Sequence, residues 1–397
     1  MQLFPRLDLL RNIRPHCEDS LVKVLTGLRR SGKSSLLRLI AEDMAERLDR
    51  PKEDFLFLDL EDFSLRRLAR PEALHDFLLE KAKKARKRLA VFLDEVRTVE
   101  SWEKVVRSLQ DRRDCDLFVA TSGAGPLSGE STLLAGRTVC FEVTPYSFRE
   151  FRAVRKTVCA DVAEETIWRD YLAWGGMPAV TNFADVSDAK LYLIDAFRSI
   201  LLSDVTARRN LRDTRALETT LAFAAERCGD RISLGDFAAF LASQRQTVSR
   251  DTIADYLRSA ADAGLLLEVE GDDPNPPLRR RPERFFADHG FREALSSGHN
   301  ERDPEPALKN IVFLELRRRG WRVQFGAGGK RAVDFVAEKE EERLYVQVRS
   351  FLDSREAVER AFEPFYDIPL VLSPDPVLRP QDGFRHENLR EWLLKDD

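Results

Sequence analysis

The chain has 397 residues, 43% hydrophobic and 33% charged, with 64 Lys and Arg against 68 Asp and Glu for a formal charge of −4. Such a length predicts two or three soluble globular domains with ample core, and the slightly acidic balance excludes a global pull toward nucleic acid, leaving only local patches. Five scattered cysteines (Cys17, Cys115, Cys140, Cys159, Cys228) without C-x-x-C spacing argue against a zinc site or disulfide framework; with no apolar leader and no long apolar run, a cytoplasmic protein that keeps off membranes is expected.

In chain order, Leu21-Val-Lys-Val-Leu25 reads as a short buried strand and Ser35-Leu-Leu-Arg-Leu-Ile40 as a helix. Between them, Gly27-Leu-Arg-Arg-Ser-Gly-Lys33-Ser34 fits G-x-x-x-x-G-K-[ST] at every position. The glycines let a loop curl so that backbone N–H groups point at phosphate oxygens, and the helix N-terminus adds its positive dipole. Gly27, Arg30, Ser31, Gly32, Lys33, Ser34 and Ser35 are the expected phosphate-binding residues. Lys33 would reach the β- and γ-phosphates, and the Ser34 hydroxyl would bind Mg²⁺.

Leu89-Ala-Val-Phe-Leu-Asp94-Glu95 is an apolar run ending in two acids. A buried strand would present Asp94 to the Mg²⁺ shell and place Glu95 to polarise a water for attack on the γ-phosphate. Asp116-Leu-Phe-Val-Ala-Thr-Ser-Gly123 reads as the next strand, and Thr121 or Ser122 could sense the γ-phosphate at its end. Leu127-Ser-Gly-Glu130 follows. Arg137 opens a further strand, Thr138 to Val143, where a guanidinium could meet a phosphate or pair with a neighbouring acid. No guanine-reading N-K-x-D occurs, so ATP with Mg²⁺ is the expected ligand.

Further along, Ile232 to Leu241 is a short helix, and Ser249 caps a second one over Arg250 to Asp262. Gly264 ends it and Leu265 to Val269 returns as a strand, which is the winged-helix order. Asp251, Asp255 and Asp262 outweigh Arg250 and Arg258 on the second helix, so phosphate is repelled and a domain-packing role is favoured. Gly271-Asp-Asp-Pro-Asn-Pro-Pro277 reads as a linker, with the basic run Leu278-Arg-Arg-Arg-Pro282 behind it. A strand from Arg284 to Ala287 leads to Asp288-His-Gly290, where His289 without a Ser or Cys partner reads as structural. Ile311 to Arg317 is an amphipathic helix, and Trp321–Phe325, Ala332–Val336 and Leu344–Arg349 alternate as strands.

Taken together, Gly27 to Ser34, Leu93-Asp-Glu95, Trp102 to Leu109, Leu127 to Glu130, Gly136-Arg137, Pro145 to Phe151, Tyr171-Leu-Ala-Trp-Gly-Gly-Met-Pro178, Asp288 to Arg292, Val333 to Val336 and Val346 to Val348 resemble a family of prokaryotic AAA-type P-loop ATPases. The resemblance implies an α/β P-loop NTPase domain with a parallel sheet, a winged-helix region, and a C-terminal domain of unknown function with a smaller α/β restriction-endonuclease-like core. It supplies no substrate. Three positions depart from the family pattern: Arg97 where a Gln is usual, Thr121-Ser-Gly123 at the sensing strand, and Lys309 where relatives usually carry a Glu.

The implied nuclease site needs helix and strand carboxylates to hold Mg²⁺ and a Lys to support the attacking water. Asp334 and Gln347 fill two places, Arg349 stands at the Lys position, and Lys309 would repel the metal. Glu315 could substitute only from an inward face. Cleavage is therefore expected to be lost. The expected layout is an ATPase domain over 1–155, a helical lid and winged-helix region over 156–275, and a nuclease-like domain over 276–397. The expected function is a Mg-dependent ATPase switch coupled to a protein or nucleic-acid partner, in a homo-oligomer if an arginine comes from a neighbouring subunit. The alternative is an ATP-gated DNA-processing nuclease.

Overall fold

The computed structural model describes residues 3–85, 87–123, 132–206, 214–270, 282–296, 304–326, 333–351, 370–376 and 385–395. The chain divides into two units, Met1–Thr144 and Pro145–Asp397, so the first boundary falls earlier than the expected 155. The reason lies in the helix that opens the second unit. Ser147 and Glu150 cap it reciprocally, and its Phe148 and Phe151 pack on Tyr171 with ring centroids 5.2 Å apart in each case.

The first unit is built on five parallel strands: β1 (Val22–Gly27), β2 (Phe55–Asp59), β3 (Leu89–Asp94), β4 (Cys115–Ser122) and β5 (Thr138–Glu142). Their spatial order is β2-β3-β4-β1-β5. The central strands read as unbroken apolar runs because helices cover both faces. On one face Leu74 and Leu78 of α3 (Pro71–Lys84) and Val105, Val106 and Leu109 of α4 (Trp102–Arg112) pack on Val24, Val91, Leu93, Leu117 and Val119. On the other, Leu36, Leu37, Ile40 and Met44 of α2 (Lys33–Arg47) and Leu10 and Ile13 of α1 (Leu7–Ile13) pack on Leu25, Ala90, Phe92 and Phe118. Strand β2 was absent from the expected elements. Phe57 of β2 stacks on Phe92 at 4.5 Å, and Phe92 on Phe118 at 4.7 Å, which ties this edge strand to the centre.

At the N-terminal edge of this sheet lies a fully buried ion pair. Lys23 donates to Asp116 and, at 2.8 Å, to the Leu21 carbonyl, and the second Asp116 oxygen accepts the Glu18 N–H at 2.8 Å. Removing one partner leaves an uncompensated charge in the core, whereas an apolar pair of like volume avoids the desolvation cost altogether. Asp116→Ala is expected to lose about 3–5 kcal/mol in urea unfolding, and Lys23→Met with Asp116→Leu to recover most of it. A double variant no better than the single one would show that the pair itself stabilises the unit.

The second unit begins with helices: α5 (Phe148–Val158), α6 (Glu164–Trp174), α7 (Val186–Ile200), α8 (Thr214–Glu226), α9 (Leu234–Ser243) and α10 (Arg250–Asp262). The Ser233 and Ser249 caps start α9 and α10. An antiparallel pair, β6 (Leu266–Val269) and β7 (Glu283–Phe286), then leads into α11 (His289–Leu295) and α12 (Glu305–Arg318). The unit closes on a mixed sheet of β8 (Arg322–Phe325), β9 (Phe335–Lys339), β10 (Glu342–Val348), β11 (Leu370–Ser373) and β12 (Arg385–Asn388), with α13 (Leu389–Leu394) at its end. β8, β9 and β10 pair antiparallel, and β10, β11 and β12 pair parallel. The expected linker at 271–277, the basic residues 278–281 and the segment 127–130 lie outside the described residues. No helix among the described residues is long and apolar enough to cross a membrane.

Candidate nucleotide site

Register aligns the C-terminal ends of the parallel strands, where ligands of open α/β sheets bind. Gly27 pairs with Ser122, and Asp59 with Asp94. The chain must turn sharply after β1. Gly27 has φ +143°, and a Cβ there would stand 2.3 Å from the Val143 carbonyl oxygen, so only glycine fits. Arg30 and Gly32 also have positive φ, which curls the loop over the start of α2. No side chain caps α2, and the Ser31 hydroxyl is buried without a hydrogen-bond partner. Orphan N–H groups and an orphan hydroxyl in one curled loop are what an oxyanion requires. Ser34 and Ser35 occupy the next two positions, in the first turn of α2.

Lys33 is buried, and its ammonium donates to the carbonyls of Gly27 (3.2 Å) and Leu28 (3.0 Å) and to the Ser122 hydroxyl (3.0 Å). Ser122 in turn donates its proton to Glu95 Oε1 at 2.6 Å, while its backbone N–H reaches Glu95 Oε2 at 3.2 Å. Glu95 also lies 3.9 Å from the Lys33 ammonium and has a left-handed backbone, φ 48°. Left-handed non-glycine residues are uncommon and collect at functional sites; here the turn aims the carboxylate at the loop. Of the two sensor candidates, Ser122 is the one in contact with both Lys33 and Glu95. The Thr121 hydroxyl stays beside the Ser122 carbonyl, at 3.5 Å.

Asp94 is hydrogen-bonded by Ser34, and burial, with Glu95 and Asp59 close by, pushes its carboxyl above the ordinary value. Negative charge from Glu95 and Asp59 near a carboxylate that is itself partly buried favours a cation beside Asp94. Among the described residues no group of three or more His, Cys, Asp and Glu forms a metal cage. Mg²⁺ commonly takes one or two carboxylates and completes its shell with phosphate oxygens and water. Ser34 and Asp94 are the residues that would hold it. Asp59 was not anticipated; its only sequence signal is that Phe55-Leu-Phe-Leu-Asp59 repeats the apolar-run-then-Asp pattern of Leu89 to Asp94.

Arg137 does not join this group. It precedes β5, its carbonyl accepts the N–H of Val22 at 2.9 Å, and its guanidinium pairs with Asp111. Val22 opens β1 and Gly27 closes it, so Arg137 stands at the edge of the sheet away from the loop. Within its own unit the Arg137 guanidinium meets Asp111 rather than the loop.

A second polar cluster lies in the C-terminal sheet. Lys309 on α12 places its ammonium 2.8 Å from Asp334 and 3.0 Å from Glu305, and Arg349 reaches Glu305 at 3.4 Å and Asp334 at 3.8 Å. Asp334 also accepts the Val348 N–H at 2.7 Å, with Gln347 buried alongside. Nearby Glu283 is pushed up to about 8 by burial, against the pull of Arg231. The carboxylate facing Asp334 is Glu305, which sequence reasoning missed although it lies one helical turn before Lys309. Glu315 is engaged elsewhere, with Arg319 at 3.0 Å and Arg318 at 3.4 Å. Protein cations thus neutralise the carboxylates directly. His289 is fully buried against Tyr171 and is structural.

The parallel sheet with its curled loop, lysine and paired acids defines a P-loop nucleoside-triphosphatase fold. Residues 19–152 match the family model described as an AAA domain, and residues 165–302 match one described as a domain of unknown function, DUF8612. The second match covers the helical middle and the β6–β7 pair rather than the C-terminal sheet. An uncharacterized protein of Haemophilus influenzae is 30% identical over 349 residues, 87% of this chain and 86% of that protein. The chain belongs to the same family, AAA-domain proteins of the P-loop class. An uncharacterized protein of Methanocaldococcus jannaschii is 28% identical over 308 residues, 76% of this chain and 67% of that protein. A solved structure described as a Walker-type ATPase of Pyrococcus abyssi superposes with TM-score 0.52 at 18% identity, covering 74% of this chain and 95% of that one, a likeness of fold alone.

Proposed function

We propose that this protein binds MgATP at the loop from Gly27 to Ser35 and hydrolyses it slowly, as a conformational switch coupled to a partner. The observation that carries this reading is the convergence of Lys33, Glu95 and Ser122 within 3.9 Å of one another, beside Asp94 and Ser34. In it, backbone N–H groups and Lys33 cradle the phosphates, Ser34 and Asp94 hold Mg²⁺, and Glu95 takes the proton of the attacking water. Bound Mg²⁺ would supply charge neutralisation across the β- and γ-phosphates.

The order α9, α10, β6, β7 supports a winged-helix reading for the middle of the second unit. On α10, Arg258 is paired with Asp255 at 2.8 Å in the same helix, so its charge is spent locally. That favours a protein partner over a nucleic acid. The C-terminal sheet supports a nuclease-like core without cleavage, because Lys309 stands 2.8 Å from the carboxylate that a metal would need. An ATP-gated nuclease is correspondingly disfavoured.

The test is ATP hydrolysis by wild-type and Lys33→Ala proteins, with and without double- and single-stranded DNA. Turnover that needs Lys33 and ignores DNA is the expected result. Stimulation by DNA would replace the protein partner with a nucleic acid, and failure to bind ATP would remove the switch entirely.

A further inference from the structure

Asp59 is the last residue of β2, and its register partner on β3 is Asp94. Neighbouring strands run about 4.8 Å apart, and paired residues of a parallel ladder present their side chains to the same side of the sheet. The backbone pins this juxtaposition, because the Leu60 N–H donates to the Asp94 carbonyl at 3.2 Å. It is felt at the side chain too: burial raises the Asp94 carboxyl most, and the charges of Glu95 and Asp59 add to it.

The Asp59 carboxylate is half committed. Its Oδ1 accepts the Glu61 N–H at 3.0 Å, which fixes the side chain in an Asx turn. Its other oxygen has no hydrogen-bond partner among the described residues, and Asp59 is exposed. The next acids along the segment are occupied, Glu61 with Arg29 at 2.7 Å and Asp62 with the Ser64 N–H at 2.8 Å. Asp59, Asp94 and Glu95 form no three-acid metal cage, which leaves Asp59 outside the ligand set. Mg²⁺ dehydrates reluctantly and keeps several waters, and carboxylates beyond the ligands commonly orient what the ion holds. Independently, the fully buried and unpartnered Ser31 hydroxyl marks the adjoining loop as the seat of a ligand.

We infer that Asp59 is a positioning residue for Mg²⁺, accepting a hydrogen bond from one of the ion's bound waters while Ser34 and Asp94 hold the ion. The inference rests on the MgATP reading of the loop. Edge strand β2 thereby takes part in the site, and its register with β3 sets where the water shell is gripped.

The experiment compares full-length wild type, Asp59→Asn and Asp62→Asn. Asparagine at 59 is isosteric and keeps an oxygen for the Glu61 N–H, while Asp62→Asn removes an equal charge from the same segment and keeps an oxygen for Ser64. Mn²⁺ is the probe, added with a non-hydrolysable ATP analogue. Its electron paramagnetic resonance signal reads binding, and line broadening in oxygen-17 water counts the waters on the bound ion. Analogue affinity in EDTA and thermal unfolding are measured alongside. Asp59→Asn is expected to unfold as wild type, to bind the analogue in EDTA within about twofold, and to hold Mn²⁺ about 10–100-fold more weakly with the same number of waters. Asp62→Asn is expected to match wild type throughout. One more water on the ion in Asp59→Asn would make Asp59 a direct ligand and overturn the inference. So would unchanged Mn²⁺ affinity, or an equal loss in Asp62→Asn, which would reduce the effect to bulk charge. Lost analogue affinity in EDTA or a lower unfolding temperature in Asp59→Asn would also overturn it, leaving Asp59 a support of the loop. A wild type that binds the analogue under neither condition would bring down the loop reading, and this inference with it.

Discussion

Glu95→Gln protein is expected to bind MgATP at least as tightly as wild type and to turn it over about 10²–10⁴-fold more slowly, the usual contribution of a positioned general base. The amide is isosteric and its oxygen still accepts the Ser122 hydroxyl, which in the native site lies 2.6 Å from the carboxylate, and only the longer bond from the Ser122 N–H at 3.2 Å is given up. What disappears is the ability to take a proton from water, together with one negative charge facing the phosphates. Binding and turnover should therefore separate. Lys33→Ala, by contrast, should lose both, because the buried ammonium is the main positive charge in the loop. Equilibrium binding of a fluorescent ATP analogue alongside phosphate release would read the two effects. Wild-type turnover by Glu95→Gln would take Glu95 out of the chemistry.

The second large effect lies in the other unit, where Asp288 and His289 adjoin in sequence and respond to acid in opposite directions. Asp288 is fully buried and accepts the N–H groups of Gly176 at 2.7 Å and Gly290 at 2.8 Å. A Cβ at Gly175 would sit 1.9 Å from its carboxylate, so the Gly-Gly pair is a cradle for this side chain. The ring of His289 lies 2.6 Å from the Tyr171 carbonyl, which can only accept, so that nitrogen carries the proton of a neutral imidazole.

Burial, with Arg318 and Arg292 nearby, lowers His289 from 6.5 to about 3. The folded state then binds fewer protons than the unfolded chain between those values. Stability from this group is present above pH 6.5 and is lost as pH falls toward 3, about 5 kcal/mol over the whole window. Burial raises Asp288 from 3.8 to about 6 despite its two N–H donors. Its contribution runs the other way, increasing by about 3 kcal/mol as pH falls from 6 to 4. In wild type the two nearly offset between pH 6 and 4. His289→Gln keeps a donor for Tyr171 and removes only the first contribution. Between pH 7 and pH 5 the stability difference between variant and wild type is expected to shift by about 2 kcal/mol toward the variant. Urea unfolding of both proteins at the two pH values measures it, and a constant difference would mean that His289 titrates normally in the folded protein.

The phosphate loop was legible because its constraint is local: glycine is required where the backbone passes 2.3 Å from where a Cβ would meet Val143, and the lysine and serine follow at fixed spacing. The same holds for the Ser249 cap of α10. Arg137 shows the limit of that reasoning. Its place beside a strand could be read, but which end of the sheet the strand begins at depends on the register of β5 with β1, a contact far apart in sequence. Asp59 was missed for a related reason. An edge strand half open to solvent gives a short and ambiguous pattern, and only its pairing with β3 brings Asp59 beside Asp94. Glu305 was not legible because the resemblance points to the position of Lys309, whereas a helix offers its neighbour one turn away on the same face. Asp288 and Gly176 lie 112 residues apart, and nothing in either local sequence announces the other.

The hydroxyl of Ser122 has a single proton. It gives that proton to Glu95 and receives Lys33 on its oxygen, while Lys33 spends its remaining donors on the loop carbonyls. A phosphate oxygen can capture the ammonium only by displacing one of these acceptors. When the displaced acceptor is Ser122, the hydroxyl regains its freedom to rotate and its hold on the carboxylate loosens. On the MgATP reading proposed above, loading the site and freeing the Glu95 carboxylate would then be a single event.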